Sequence, residues 1–127
     1  MNPLSKWMRW TLAATTIYNM FGVLMFIPLI SVGRDLIGWP TVHPFYMWLV
    51  TIWIGSFGVL YGWLAVKGRS DPAFLMIAAI GKFAFFGLNF IFWMIGDFPF
   101  TAPLAATGDL ITAILFTVWL WKTRDTF

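Results

Sequence analysis

Cysteine and glutamate are absent from this chain of 127 residues, histidine occurs once, and charged residues make up only 10%. Without cysteine there can be no disulfide and no thiolate chemistry. With His43 as the lone imidazole, a protein-built zinc or haem site lacks its ligand set. No metal and no cofactor is therefore expected. The scarcity of charge excludes more. A soluble domain carries roughly 25% charged residues to cover its surface, whereas this chain is 61% hydrophobic. Most of its surface must face something other than water, and the lipid bilayer is the expected partner. The net charge of +3 does not argue for nucleic acid, because the Lys and Arg residues sit mostly at the ends of apolar runs, where membrane topology accounts for them.

What is present is four apolar segments, at about 10–32, 44–66, 73–95 and 101–121. Each has the length an α-helix needs to cross a hydrocarbon core of roughly 30 Å. The breaks between them (GRDLIGWPTVHP, KGRSDP and GDFP) are short, so neighbouring helices should run antiparallel. The expected fold class is all-α, a membrane-spanning four-helix antiparallel bundle forming a single domain over 1–127. A cleaved signal peptide does not suit the first segment: its apolar run is too long, and Tyr18 and Asn19 interrupt its centre.

Charge sets the expected orientation. Lys6 and Arg9 precede the first segment, Lys67 and Arg69 lie between the second and third, and Lys122 and Arg124 follow the fourth. The opposite side has only Arg34, beside Asp35, and Asp97. The excess places both termini in the cytoplasm of a multi-pass protein. Trp7, Trp10, Trp39, Trp48, Trp63, Trp93, Trp119 and Trp121 fall near the expected helix ends, the interfacial level that amphipathic rings prefer. Leu36, Ile37 and Trp39 are expected to dip into the interface or cap the bundle, and Arg34 and Asp35 to form a local surface pair.

Packing signals are small residues on one face. In the second segment Thr51, Gly55, Gly58, Gly62 and Ala65 align, and such faces let helix backbones approach closely in lipid. Packing within the bundle is favoured over a homo-oligomer interface. In the fourth segment Ala102, Ala105, Ala106, Thr112 and Ala113 share the face of Asp109, which should therefore point inward.

Polar residues then appear at one depth. With a ~1.5 Å rise per residue, Lys82 and Asn19 each lie ~13 Å inside their helices, Ser56 ~15 Å and Asp109 ~18 Å. Thr15 and Thr16 share the face of Asn19, and Asn89 follows Lys82 by two turns. A charge at such depth costs about 3 kcal/mol or more on insertion scales, so Lys82 and Asp109 are expected to pair. Asn19, Thr15 and Ser56 would supply the remaining hydrogen-bonding positions. Such a pair can equally be a register device, and Lys82 can instead snorkel toward the cytoplasm.

The succession of YN (Tyr18, Asn19), SDP (Ser70 to Pro72), GK (Gly81, Lys82), GDFP and GD (Gly108, Asp109) resembles small bacterial four-helix integral membrane proteins of DoxX-like type. The resemblance covers nearly the whole chain. It implies a four-helix bundle in the bacterial cytoplasmic (inner) membrane. Some relatives of that type are linked to quinone-dependent electron transfer, although this sequence shows no redox centre of its own.

Three functional classes follow. The first is a small carrier or binding protein. Its midplane layer of Asn19, Lys82, Asn89 and Asp109 would receive the polar head of an apolar ligand, quinone-like or lipid-like, or would relay a proton. Phe83, Phe85, Phe86, Phe90 and Trp93 would line the apolar part. The second is an accessory or assembly subunit of a larger membrane complex, with a purely structural Lys–Asp pair. The third is an enzyme using Lys82 as base or nucleophile. It is disfavoured because no second intramembrane acid, thiol or metal set accompanies the lysine. A small drug exporter is disfavoured too, since the first segment has no carboxylate.

Overall fold

The computed structural model describes residues 1–126, and they are mostly helical. In chain order they form strand β1 (Asn2–Pro3), helix α1 (Lys6–Phe26), helix α2 (Val32–Ile37), helix α3 (Pro44–Lys67), strand β2 (Arg69–Ser70), helix α4 (Pro72–Met94), helix α5 (Thr101–Ala105), helix α6 (Thr107–Thr123) and a closing 3₁₀ turn (Arg124–Thr126). Helices α3 and α4 are long and apolar enough to cross a membrane.

Local chemistry sets the boundaries. The first apolar segment is expected to run to Val32, but α1 stops at Phe26. Pro28 has no N–H to donate, and Ile27 before it is pushed to an extended ψ of 128°. Arg34 then closes the exposed helix end, with its Nη1 donating to the carbonyls of Met25 at 3.0 Å and Ile27 at 2.9 Å. This replaces the expected Arg34–Asp35 pair. The last carbonyls of a helix have no helical donor and need a partner, whereas an exposed carboxylate such as Asp35 is served by water and an exposed ion pair adds little. At the start of α3, Pro44 occupies the first turn and His43 Nδ1 accepts from Phe45 N–H at 3.1 Å. The one histidine is thus an N-cap. Asp71 does the same for α4, accepting from Ala73 N–H at 2.8 Å with Pro72 behind it.

The end of α3 is locked from a distance. Gly68 caps it with a φ of +74°, a conformation open to glycine. Arg9 reaches across from α1, its Nε donating to Ala65 O at 2.8 Å and Nη2 to Val66 O at 3.1 Å. Beside this, β1 and β2 pair antiparallel, with Asn2 opposite Ser70 and Pro3 opposite Arg69. The N-terminus is thereby fastened to the α3–α4 connection.

Helix α1 packs most closely on α3, α4 on α6, and α1 also touches α6. Glycines make the α1–α3 seam. A Cβ on Gly58 would lie 2.6 Å from Met20 Cε and 2.9 Å from Asn19 Cβ, and one on Gly62 would lie 3.1 Å from Thr16 Oγ1. Gly22 of α1 answers with Ile54, at 3.1 Å. The small-residue face of α3 is therefore spent within the chain. The buried core gathers Met8, Leu12, Tyr61, Leu64, Leu75, Phe116 and Trp119 at the end nearest the β1–β2 pair. Trp119, expected at an interface, is buried there because it shares the inward face of α6 with Phe116 and Thr112. Outward faces carry large apolar side chains throughout, among them Ile52, Val59, Val66 and Ile80.

Candidate functional site

A cavity of about 360 Å³ lies inside the bundle, lined from α1 by Tyr18, Asn19 and Phe26, from α3 by Ile54, Phe57 and Tyr61, and from α4 by Ala78, Lys82 and Phe85. Its existence follows from which helices meet. Helices α3 and α4 are not among the closely packed pairs. Near their connection they touch through Phe74, whose ring centroid is 5.9 Å from those of both Phe57 and Tyr61. Three large rings hold the helices apart, and beyond them the space stays open. Trp53 and Ile77 border this gap and are 61% and 63% exposed. Gly81 borders it too, and a Cβ there would meet nothing within 4 Å. The cavity mouth thus opens sideways between α3 and α4.

The polar wall of the cavity is a cluster of five residues centred on Lys82. Lys82 Nζ lies 2.8 Å from Asp109 Oδ1, and the two residues are 7% and 8% exposed. The ammonium also donates to Asn19 Oδ1 at 3.4 Å, a long bond. It sits 5.6 Å from the Tyr18 ring centroid and 5.5 Å from that of Tyr61. Ring faces at such distances attract a cation. Lys82 is therefore held by one carboxylate, one amide and two aromatic faces, and does not snorkel.

A broken helix aims Asp109. Within an unbroken helix its N–H would bond the carbonyl four residues back, at Ala105. Here Asp109 N–H bonds Ala106 O at 3.0 Å instead, at the junction of α5 and α6. Pro103 within α5 removes a further donor just upstream. The Ala105 carbonyl is left without its helical donor, and the Tyr18 hydroxyl takes that place at 2.8 Å. The same hydroxyl lies 3.0 Å from Asp109 Oδ2. Tyr18 can approach because residue 108 is glycine: a Cβ there would fall 2.3 Å from the tyrosine ring.

The opposite end of the cavity is closed by rings. Trp39 stacks on Phe26 at 4.4 Å between centroids and meets Phe85 edge-on at 6.1 Å. Its indole N–H donates to Asn89 Oδ1 at 3.1 Å. Gly38, with a φ of +82°, turns the chain so that Trp39 faces inward.

The residues singled out from sequence are therefore distributed as follows. Asn19, Lys82 and Asp109 come together. Asn89 is buried but serves Trp39 rather than Lys82, being two turns farther along α4. Thr15 is buried, but its hydroxyl donates back to Thr11 O at 2.7 Å in its own helix. Ser56 is exposed, because it stands one residue past Gly55 and so turns about 100° away from the seam. Of the aromatics proposed to line the apolar part, Phe85 does so, whereas Phe83 and Phe90 are exposed, Phe86 stacks on Phe90, and Trp93 meets Phe90 and Phe100 edge-on away from the cavity. Sequence reasoning missed Tyr18 and Tyr61 as members of the site, and it expected Trp39 as an interfacial or capping residue without linking it to a cavity. The only signals were Tyr18 beside Asn19, Pro103 inside an apolar segment, and Trp39 between Gly38 and Pro40.

No family model, no curated protein and no solved structure matches the chain.

Proposed function

We propose that this protein is a small multi-pass carrier or binding protein of the bacterial cytoplasmic membrane, holding an apolar ligand with a polar head, quinone-like or lipid-like. Four spans are built from α1, α3, α4 and the α5–α6 pair, with both termini cytoplasmic. The length of α1, 21 residues or ~31 Å, supports this, as do the apolar outward faces. The charge asymmetry and the DoxX-like resemblance point the same way. The observation that carries the functional reading is the cavity, which combines apolar walls, a sideways mouth and the buried Lys82–Asp109 pair on one side. Ligand pockets are commonly apolar concavities with a few convergent polar groups.

A second reading is supported by one specific observation. Both oxygens of Asp109 already have partners, Lys82 and Tyr18, which suits a structural register pair in an accessory subunit of a larger complex. Native mass spectrometry of protein released from its own membrane separates the two. A carrier should retain a small apolar molecule, and Gly81→Leu should eject it by filling the mouth. Release of bare protein, or capture of a stoichiometric membrane-protein partner with an empty cavity, favours the structural reading.

Topology has its own test. The chain lacks cysteine, so single cysteines at exposed Lys67 and exposed Thr41 give clean labelling. They should react from opposite sides of the membrane. Reaction from one side would sink the four-span arrangement.

A further inference from the structure

The hydrogen-bonding inventory of the cavity wall specifies the ligand head more narrowly, on the assumption that the cavity is a binding site as proposed above. One ammonium and one carboxylate lie 2.8 Å apart, so the wall has no net charge. Neither an anionic nor a cationic head would find a compensating charge there, and each would be stripped of water on entry. Each acceptor oxygen of the wall already has a partner, although a carboxylate or amide oxygen can take a second donor. Asp109 Oδ1 receives Lys82, Asp109 Oδ2 faces the Tyr18 hydroxyl, and Asn19 Oδ1 receives Lys82. The Tyr18 proton is directed at Ala105 O and Asp109.

Donors remain. An ammonium has three N–H groups, and Lys82 uses two of them on Asp109 and Asn19. A side-chain amide has two, and Asn19 uses one on Ile54 O at 2.9 Å. Tyr61, whose hydroxyl serves in either direction, leaves that balance unchanged. Around these donors the wall is apolar: Phe26, Ile54, Phe57, Ala78 and Phe85.

We infer that the cavity takes an uncharged amphiphile whose head is a hydrogen-bond acceptor, a carbonyl or ester oxygen, seated on the third N–H of Lys82. Its hydrocarbon part lies toward the gap between α3 and α4, past Gly81. The chemistry is shared by the ester of a membrane lipid and by a free carbonyl compound.

Radiolabelled probes built on a twelve-carbon chain, in nanodiscs, test this at pH 7, with empty nanodiscs subtracting partition into lipid. Dodecan-2-one and methyl laurate should bind saturably. They should bind about tenfold or more tighter than laurate, dodecylamine or dodecane, the ratio expected of one hydrogen bond to a charged donor. Tighter binding of methyl laurate assigns a lipid ester, and tighter binding of dodecan-2-one assigns a free carbonyl compound. The double variant Lys82→Met/Asp109→Leu, which keeps the wall neutral, should bind ketone no better than dodecane. Preference for laurate or dodecylamine overturns the inference and leaves the cavity reading standing. So does a ketone preference that survives in the double variant. No saturable binding by any probe, or saturable binding that Gly81→Leu leaves unchanged, removes the cavity reading and the inference with it.

Discussion

The two seams flanking α3 are built by opposite means. Toward α1 the helix presents Gly55, Gly58 and Gly62, and at Gly58 its backbone comes so near that side chains of the partner occupy the place where a Cβ would stand. Toward α4 it presents Phe57 and Tyr61, which meet Phe74 and keep the axes apart. Close packing replaces the hydrophobic effect as the cohesive term between helices in lipid. A helix tight on both sides would leave no room for anything else. The difference teaches that the cavity is a consequence of residue size: three glycines bring one neighbour in, and three rings hold the other out.

Lys82 stands beside the open side and ties α4 to the other helices. From α4 it reaches Asp109 on α6 and Asn19 on α1. Removing it should be the most damaging single change, because Lys82→Met strands a buried carboxylate or forces it to take up a proton. A loss of about 3–5 kcal/mol is expected, the size seen when one partner of a buried pair is deleted. The double variant Lys82→Met/Asp109→Leu should regain most of it. Thermal unfolding of the parent, Lys82→Met, Asp109→Leu and the double variant in detergent gives the coupling directly, and strictly additive effects would contradict the 2.8 Å contact.

The tight seam should break next. Gly58→Leu adds a branched side chain where even a Cβ would lie 2.9 Å from Asn19 Cβ. Overpacking of this kind costs about 1–3 kcal/mol and occasionally more. It should also displace Asn19 from Lys82, so the same variant lowers both melting temperature and ligand retention. A variant that melts like the parent would mean that the α1–α3 seam is not held as close as described.

The ring lid over the cavity offers a milder perturbation. Trp39→Phe keeps an aromatic ring against Phe26 and Phe85 but removes the donor to Asn89. Loss of one hydrogen bond with its partner left buried should cost about 1–3 kcal/mol, toward the lower end because Asn89 keeps its bond to Phe85 O. Adding Asn89→Leu should restore much of this, which melting of the single and double variants would show.

The tight side of this contrast was legible in the sequence and the open side was not. Small residues at helical spacing announce close packing, and lone charges inside apolar runs announce a partner, so Gly58 and the Lys82–Asp109 pair could be named from the chain alone. The all-helical character followed from run length and from breaks at Pro and Gly. The cavity depends instead on how far rings from different helices intrude, and Phe57, Tyr61 and Phe74 give no periodic signal that separates a spacer from a filler. Tyr18 was hidden for a different reason. Its role is to satisfy a carbonyl freed by the break after Ala105, and that break rests on Pro103 and on one displaced backbone hydrogen bond. Ser56 shows the limit of depth counting: equal depth does not mean equal direction, and a step of one residue turned it outward.

The smallest expected effect gives the sharpest contrast with Gly58. Gly81 lies on α4 at the same open gap, and a Cβ built there touches nothing within 4 Å. Gly81→Leu should therefore leave the bundle as stable as the parent or slightly more so, since a mid-helix glycine is about 0.8–1 kcal/mol less favourable than alanine. The same substitution places four carbons in the mouth, so bound apolar ligand should be lost while the melting temperature holds or rises. Separating the two readouts in one variant is possible only if the gap is empty of protein and used by something else. A melting temperature that falls as it does for Gly58→Leu would show that α3 and α4 close on each other at this level, and the distinction between the two seams would disappear.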